Sequence, residues 1–119
     1  MHLRTSREFR RVYSIGKRYD GAHMTAFVQP NGLERHRLGI TASRKAIGNS
    51  VERNRCKRLL RETFRVSEPA LEGLKFRNDW VLNARRSLLQ VKLASSLEDF
   101  HRILARVMSD EYELERGVV

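Results

Sequence analysis

Residues 43–65 read SRKAIGNSVERNRCKRLLRETFR, with eight Lys or Arg and only two acids. On a helical wheel with Val51 at 0° and about 100° per residue, Val66, Leu59, Thr63, Cys56 and Leu60 fall between roughly 60° and 180°. That arc is the core-facing side. Arg53, Lys57 and Arg61 run at i, i+4 and i+8 along one edge, with Asn54 beside them, while Arg55, Arg58 and Arg65 take the opposite flank. Like charges one turn apart destabilise an isolated helix by a few tenths of a kcal/mol per pair. Glu52 and Glu62 alone offset this, so packing must hold the helix and a polyanion must relieve the repulsion. Asn49 and Glu52 have the spacing of a capping box, with Ser50 as the alternative cap. The free N–H groups at Gly48-Asn49-Ser50 suit a phosphate as well as a plain cap. The helix is expected to run to about Ser67, ahead of Pro69.

Outward from this helix the chain alternates element types. Ser6–Ile15 is predicted to be a helix capped by Ser6, with Phe9, Val12, Tyr13 and, at its end, Ile15 as its apolar stripe and Gly16 as its stop. His23–Gln29 (HMTAFVQ) and Arg37–Ala42 (RLGITA) read as strands on either side of the turn Pro30-Asn31-Gly32, and a hairpin is expected from them. Asp79–Ala84 (DWVLNA) reads as a further strand, and His2–Arg4 as a short extra one. The last predicted helix is Ser95–Met108, with Ser95 and Glu98 as a second capping box and Leu97, Phe100, Leu104 and Val107 facing the core. The order is helix, strand, strand, helix, strand, helix. This gives an α/β (α+β) two-layer sandwich with a small mixed sheet of about four strands. Residues 1–108 are expected to form a single RNA-binding domain, followed by an acidic tail over 109–119.

The 119 residues fit one domain with one modest core. The net charge is +10 with a pI of about 10.8, which points to nucleic acid or another acidic surface. Residues 1–65 hold 16 Lys and Arg against 5 acids, and residues 66–119 hold 8 against 9, so the whole positive excess lies in the first part. Of the cations, 19 are Arg, whose planar fork can hold a phosphate with two hydrogen bonds. A single cysteine, Cys56, excludes an intrachain disulfide, and no Cys/His spacing is that of a zinc site. No apolar run approaches the roughly 20 residues of a membrane span, and no signal core is present, so a cytoplasmic protein is expected.

Ser43, Lys45, Gly48, Ser50, Val51, Arg53-Asn54-Arg55, Lys57, Arg58 and Arg61 together resemble the signature of the bacterial ribonuclease P protein, S-x-K/R-x-x-G-x-A/S-V-x-R-N-R-x-K-R-x-x-R. Cys56 stands where an aliphatic residue is frequent, a small apolar exchange. The likeness extends over about residues 3–107, through Glu8-Phe9-Arg10-Arg11-Val12-Tyr13, Phe27-Val28, Leu38-Gly39-Ile40 and DWVLNAR. The resemblance implies a left-handed βαβ crossover through the basic helix. It also implies a protein subunit that binds a catalytic RNA, one protein per RNA, and grips the single-stranded 5′ leader of precursor tRNA. The RNA would carry the hydrolysis with Mg2+ held mainly by the RNA and substrate, and the protein would supply no catalytic residue. By position, Phe9, Tyr13 and Phe27 would line the leader cleft. Arg44, Lys45, Asn49, Arg53, Asn54, Arg55, Lys57, Arg58, Arg61 and Arg65 would contact RNA, with Arg53, Asn54, Lys57 and Arg61 as the cleft's polar wall and Arg55, Arg58 and Arg65 toward the catalytic RNA. Members often carry further basic residues before the position of Leu3, so an RNA contact there is expected to be missing or to lie outside the given sequence.

Read from the residues alone, Phe9, Tyr13 and Phe27 fit a core stripe as readily as a stacking platform for bases. A noncatalytic ribosomal or RNA-chaperone module is the alternative that composition favours, and a small architectural DNA-binding protein is a third. Aromatics beside a basic helix favour single-stranded RNA over duplex DNA. The acids are scattered or in the tail, so no carboxylate cluster for a two-metal nuclease emerges. Asp79 reads as a cap or turn residue, and His101 as bordering the core face of the last helix. The acidic tail (Asp110, Glu111, Glu113, Glu115) reads as a solvated end or as a segment that folds onto the basic face.

Overall fold

A computed structural model gives the fold and describes residues 2–117, with side chains through Leu114. In chain order the elements are α1 (Ser6–Ile15), β1 (Lys17–Asp20), β2 (Met24–Pro30), β3 (Arg37–Thr41), α2 (Ser50–Val66), α3 (Glu68–Leu71), β4 (Asn78–Ala84), a 3-10 turn (Arg86–Gln90) and α4 (Leu93–Gly117). The strands form one mixed sheet in the order β1-β2-β4-β3. β1 and β4 flank β2 antiparallel, and β3 runs parallel to β4. The mixed α+β class and the four strands agree with expectation.

The expected hairpin does not form, because β4 lies between β2 and β3. Trp80, Val81 and Leu82 are each fully buried, so this strand is covered on both faces and belongs at the centre of the sheet. The turn after Pro30 is real: Gly32 takes φ 69°, and the Leu33 N–H donates to Asn31 Oδ1 at 2.8 Å. It steps over the start of β4, where Asn31 Nδ2 donates to Asp79 Oδ1 at 3.0 Å. Strand β1 escaped prediction because three of its four residues are polar and exposed, and only Tyr19 enters the core. A short charged strand suits a sheet edge. The expected strand at His2–Arg4 reduces to one parallel bridge, His2 to Leu38, with the Leu3 N–H donating to Leu38 O at 2.9 Å.

Alternation along β4 divides the interior. Trp80 and Leu82 point to the main core under α2 and α4, where the Phe64, Trp80 and Phe100 rings lie 5.5–6.0 Å apart. Val81 points to the other face and packs with Leu3 and Val12, with Phe9 and Phe27 partly buried around them. On α2 the buried residues are Cys56, Leu60, Thr63 and Phe64, while Val66 is 40% exposed. The core arc therefore turns toward Phe64, at about 220° on the wheel, because that ring completes the aromatic cluster and Val66 meets nothing comparable. Burial raises the pKa of the Cys56 thiol, which keeps it protonated and unreactive at neutral pH.

The caps follow two patterns. Asn49 and Glu52 form the expected box on α2: the Glu52 N–H donates to Asn49 Oδ1 at 2.9 Å and the Asn49 N–H to Glu52 Oε1 at 3.3 Å. Gly48 before it takes φ 131°, and a Cβ there would sit 2.5 Å from Glu52 Oε1. On α1 the cap is Thr5 rather than Ser6, in a box with Glu8. Gly16 ends α1 as expected but at φ −76°; its requirement is space, since a Cβ would lie 2.4 Å from Val12 O. Helix α4 begins two residues before Ser95, so the Ser95–Glu98 box does not exist. Ser96 is buried instead and shares a 2.7 Å hydrogen bond with Thr63 Oγ1.

The acidic segment continues α4 and is tied down away from the basic face of α2. Asp110 accepts from Lys17 Nζ and from the Tyr19 hydroxyl, each at 2.6 Å, and these partners lower its pKa. Glu111 accepts from the Lys75 and Phe76 N–H groups. The side chain of Glu115 lies outside the described residues.

Asp79 corrects another expectation. It sits inside β4, 4% exposed, and takes both Nε (2.7 Å) and Nη2 (2.6 Å) of Arg37. Arg37 Nη1 reaches Glu8 Oε2 at 2.9 Å, and Glu8 caps α1. The clamp joins β3, β4 and the start of α1. Removing one partner of a buried pair leaves an uncompensated charge, so Arg37→Leu should cost roughly 3–5 kcal/mol. The expected readout is a lower urea midpoint, partly restored in Arg37→Leu/Asp79→Asn.

His36 gives a pH prediction. Its Nδ1 accepts from the Asn78 N–H (3.0 Å) and Trp80 Nε1–H (3.1 Å), and Nε2 faces Leu71 O at 3.3 Å. Nδ1 has no room for a proton, and burial lowers the pKa. The unfolded chain then binds this proton more readily, so stability is complete above the unfolded value of about 6.5 and falls as pH drops toward the lowered folded value. The melting temperature should decline between about pH 7 and 5, and the slope in that window should flatten in His36→Gln. An unchanged slope in the variant assigns the effect elsewhere.

Candidate RNA interface

The face of the sheet that carries α1 stays partly open. Phe27 of β2 and Tyr13 of α1 meet edge to face, with centroids 4.9 Å apart and planes at 83°. Tyr13 is 37% exposed and Phe27 half-buried. The Arg18 guanidinium lies 5.7 Å from the Phe27 ring centre. Below them the Tyr13 hydroxyl (2.9 Å) and Thr41 Oγ1 (2.5 Å) both donate to Asn83 Oδ1, which fixes the phenol over the sheet. Phe9, one turn before Tyr13, brings the end of its ring against Gly39: a Cβ on Gly39 would be 2.6 Å from Phe9 Cζ. The three aromatics thus share one face, with Phe9 and Phe27 packed against the small core and Tyr13 the more exposed.

Helix α2 brings its cations to the rim of this face. Phe9, Lys57 and Arg61 line one hollow of about 320 Å³ together with Leu38 and Ile40. Arg53 is half-buried and donates from Nε to Ala42 O at 2.8 Å, so it anchors α2 to the end of β3. Asn54, Arg58 and Arg61 line a more open hollow of about 440 Å³ on the exposed ridge. Arg58 is therefore grouped with Asn54 and Arg61 and not with Arg55. Arg55 reaches the other way, to Leu89 O in the 3-10 turn. Arg65 pairs with Glu62, which raises the pKa of the arginine and lowers that of the acid. The two rows drawn from the wheel become a cleft edge (Arg53, Lys57, Arg61), an outer ridge (Asn54, Arg58, Arg65) and a lone Arg55 on the far flank. Arg44 and Lys45 are exposed in the turn before α2, and the Asn49 carbonyl is occupied by its capping bond.

Arg18, Gly39, Thr41 and Asn83 are the residues of this face that sequence reading missed. The alternation of β4 was the available signal: once Val81 faces away from the main core, Asp79 and Asn83 must share its side. Among the described residues no three His, Cys, Asp or Glu side chains gather to hold a metal ion. No helix among them is long and apolar enough to cross a membrane.

The family model for ribonuclease P matches residues 1–108. The chain is 36% identical over 104 residues to the ribonuclease P protein component of Caldanaerobacter subterraneus subsp. tengcongensis, covering 87% of this chain and 86% of that one. The RNase P protein of Thermotoga maritima superposes with a TM-score of 0.76 at 28% identity, covering 89% of this chain and 96% of that one. That of Staphylococcus aureus gives 0.73 at 25% identity, covering 90% and 96%.

The close seat of Phe9 on Gly39 predicts that Gly39→Val forces the ring off the sheet. A cost of about 1–3 kcal/mol is expected, as for other overpacked sites. It should appear in urea unfolding together with changed NMR shifts of Phe9 and Val12, while the Trp80 indole resonance of the main core stays in place.

Proposed function

The chain belongs to the ribonuclease P protein family, and from that premise we propose that it is the protein subunit of a ribonucleoprotein that removes the 5′ leader of precursor tRNA. It binds the catalytic RNA and the single-stranded leader. The RNA cuts the phosphodiester, with magnesium ions held mainly by RNA and substrate, and the protein supplies no catalytic side chain. The observation that carries this reading is the joint placement of Phe9, Tyr13 and Phe27 with Lys57 and Arg61 around one open sheet face.

That placement suits a single strand. Stacking a base on an aromatic is worth about 1–3 kcal/mol and tolerates any sequence. Lys57 and Arg61 meet the backbone beside it, where guanidinium and ammonium groups hold phosphates. The outer ridge, with Arg58 and Asn54 and with Arg44, Lys45 and Asn49 beyond its N-terminal end, faces the catalytic RNA; Arg55 and Arg65 contribute charge from their paired positions. Arg53 chiefly fixes the helix that presents them. One protein per RNA is sufficient, since one chain carries both surfaces.

Mixing the protein with a bacterial catalytic RNA and precursor tRNA at low magnesium should raise leader cleavage well above RNA alone; no gain would sink the reading in favour of a noncatalytic RNA-binding module. Tyr13→Ala and Lys57→Ala should weaken binding of long-leader substrate by roughly tenfold, the order expected for one lost stack or phosphate contact. Binding of substrate without a leader should not change. Arg58→Ala should instead weaken assembly with the catalytic RNA. Identical defects in both sets would refute the division between cleft and ridge.

A further inference from the structure

A third hollow lies between the C-terminal half of α2, α3 and the outer edge of β3, where His2 bridges Leu38, with a volume of about 480 Å³. It is separate from the aromatic face yet continuous with it. His2, Leu38 and Arg61 line both this hollow and the one that holds Phe9 and Lys57. Its inner wall is apolar, made of Leu38, Phe64 and Leu71, with the His36 ring among them. Its rim carries Arg35 and Arg61, neither of which is paired with an acid among the described residues, and on the α3 side Glu68 and Glu72.

We propose that this hollow takes one further unpaired nucleotide of the leader strand, its base against Leu38, Phe64 and Leu71 and its phosphate on Arg61. The inference rests on the leader-binding reading and adds a subsite beyond the β3 edge. Its volume lies in the range of small-ligand pockets, about 300–1,000 Å³. The combination of an apolar wall with a cationic saddle matches a planar base joined to an anionic backbone, and neither half alone would need the other. Arg61 stands where the two hollows meet, so a strand leaving Phe9 must pass its guanidinium. The Glu68 carboxylate makes no hydrogen bond among the described residues and feels only the charge of Arg65, whereas Glu72 pairs with Arg77 at 3.1 Å, so Glu68 is the acid able to accept from an exocyclic amine. An amine-bearing base such as adenine is favoured over uracil there.

His36 makes the site readable. It lines the hollow on one side and accepts the Trp80 indole N–H on the other, and Trp80 is the only tryptophan. The full chain, labelled with 15N, is titrated with adenosine 5′-monophosphate, uridine 5′-monophosphate, adenosine and inorganic phosphate. The adenine nucleotide is expected to shift the Trp80 indole resonance saturably, more tightly than the uracil nucleotide. Arg61→Gln should weaken the effect roughly tenfold or more, as loss of a charge-assisted contact does. Phe27→Ala, in the neighbouring cleft, should leave it unchanged. Phosphate alone reproducing the shift would reduce the site to an adventitious anion, and shifts confined to Phe9, Tyr13 and Phe27 would overturn the hollow. In the reconstituted holoenzyme, a photoreactive leader nucleotide should crosslink to residues 35–38 or 64–72; a crosslink there from the catalytic RNA instead would overturn the leader assignment. Failure of reconstitution would count against the functional reading, whereas the nucleotide titration of the free protein tests the hollow by itself.

Discussion

Strand β4 has to be buried on both faces, and the architecture follows from that constraint. Trp80 and Leu82 require a cover on one side, and Val81 requires one on the other. A strand with such a demand cannot lie at an edge, so β2 and β3 separate to admit it. The polar residues flanking those apolar ones then need partners inside the fold. Asp79 finds Arg37 and Asn31, and Asn83 finds Tyr13 and Thr41. These bonds position α1, because Arg37 also holds Glu8 and Asn83 holds the Tyr13 hydroxyl. The central strand thus produces a main core on one side and a thinly covered face on the other, and the second is where the aromatics are left accessible.

The basic helix is stabilised by the first of these sides and used on the second. Its own sequence disfavours it, since cations recur one turn apart with few acids to offset them. Cys56, Leu60, Thr63 and Phe64 supply the compensation by burial, each large apolar side chain contributing about 1.5–3 kcal/mol. The capping box and Arg53 fix its start and its distance from β3. Neutralising the remaining cations within the protein would remove the reason to bind RNA. Glu62 does so for Arg65, but Lys57, Arg58 and Arg61 form no salt bridge among the described residues.

Much of this was legible in the sequence where a pattern had one physical explanation. The α2 capping box, the Phe100, Leu104 and Val107 positions of the α4 stripe and the mixed strand and helix order follow from local chemistry, whereas Leu97 stays half-buried outside the core and Ile103, not read from the pattern, is buried in it. The sheet order did not, because β2 and β3 each alternate acceptably as hairpin partners and nothing local says that a later strand will separate them. β1 carries one apolar residue in four, too few to register as a strand. On α2 the wheel placed the core side slightly wrong, since it weighs Val66 and Phe64 alike whereas packing against Trp80 and Phe100 does not. The aromatic triad was legible as a stripe, but whether it faced core or solvent depended on how completely α1 covers the sheet, which is a tertiary property.

Arg61 shows why the interface behaves as a unit. Its position near 280° on the wheel, by about 100° per residue, places it between the cleft edge and the outer ridge. The same side chain lines the hollow with Phe9, the ridge hollow with Asn54 and Arg58, and the hollow against α3. A flexible cation without an acid partner can turn toward whichever of these holds a phosphate, at little cost in broken contacts. An RNA strand in the cleft and an RNA surface on the ridge therefore draw on one guanidinium, and the two surfaces are coupled even where their other residues are distinct. Effects of charge removal at neighbouring positions should for that reason be nonadditive around Arg61 and closer to additive for Tyr13 and Arg55, which lie on opposite sides of the molecule's sheet and helix layers.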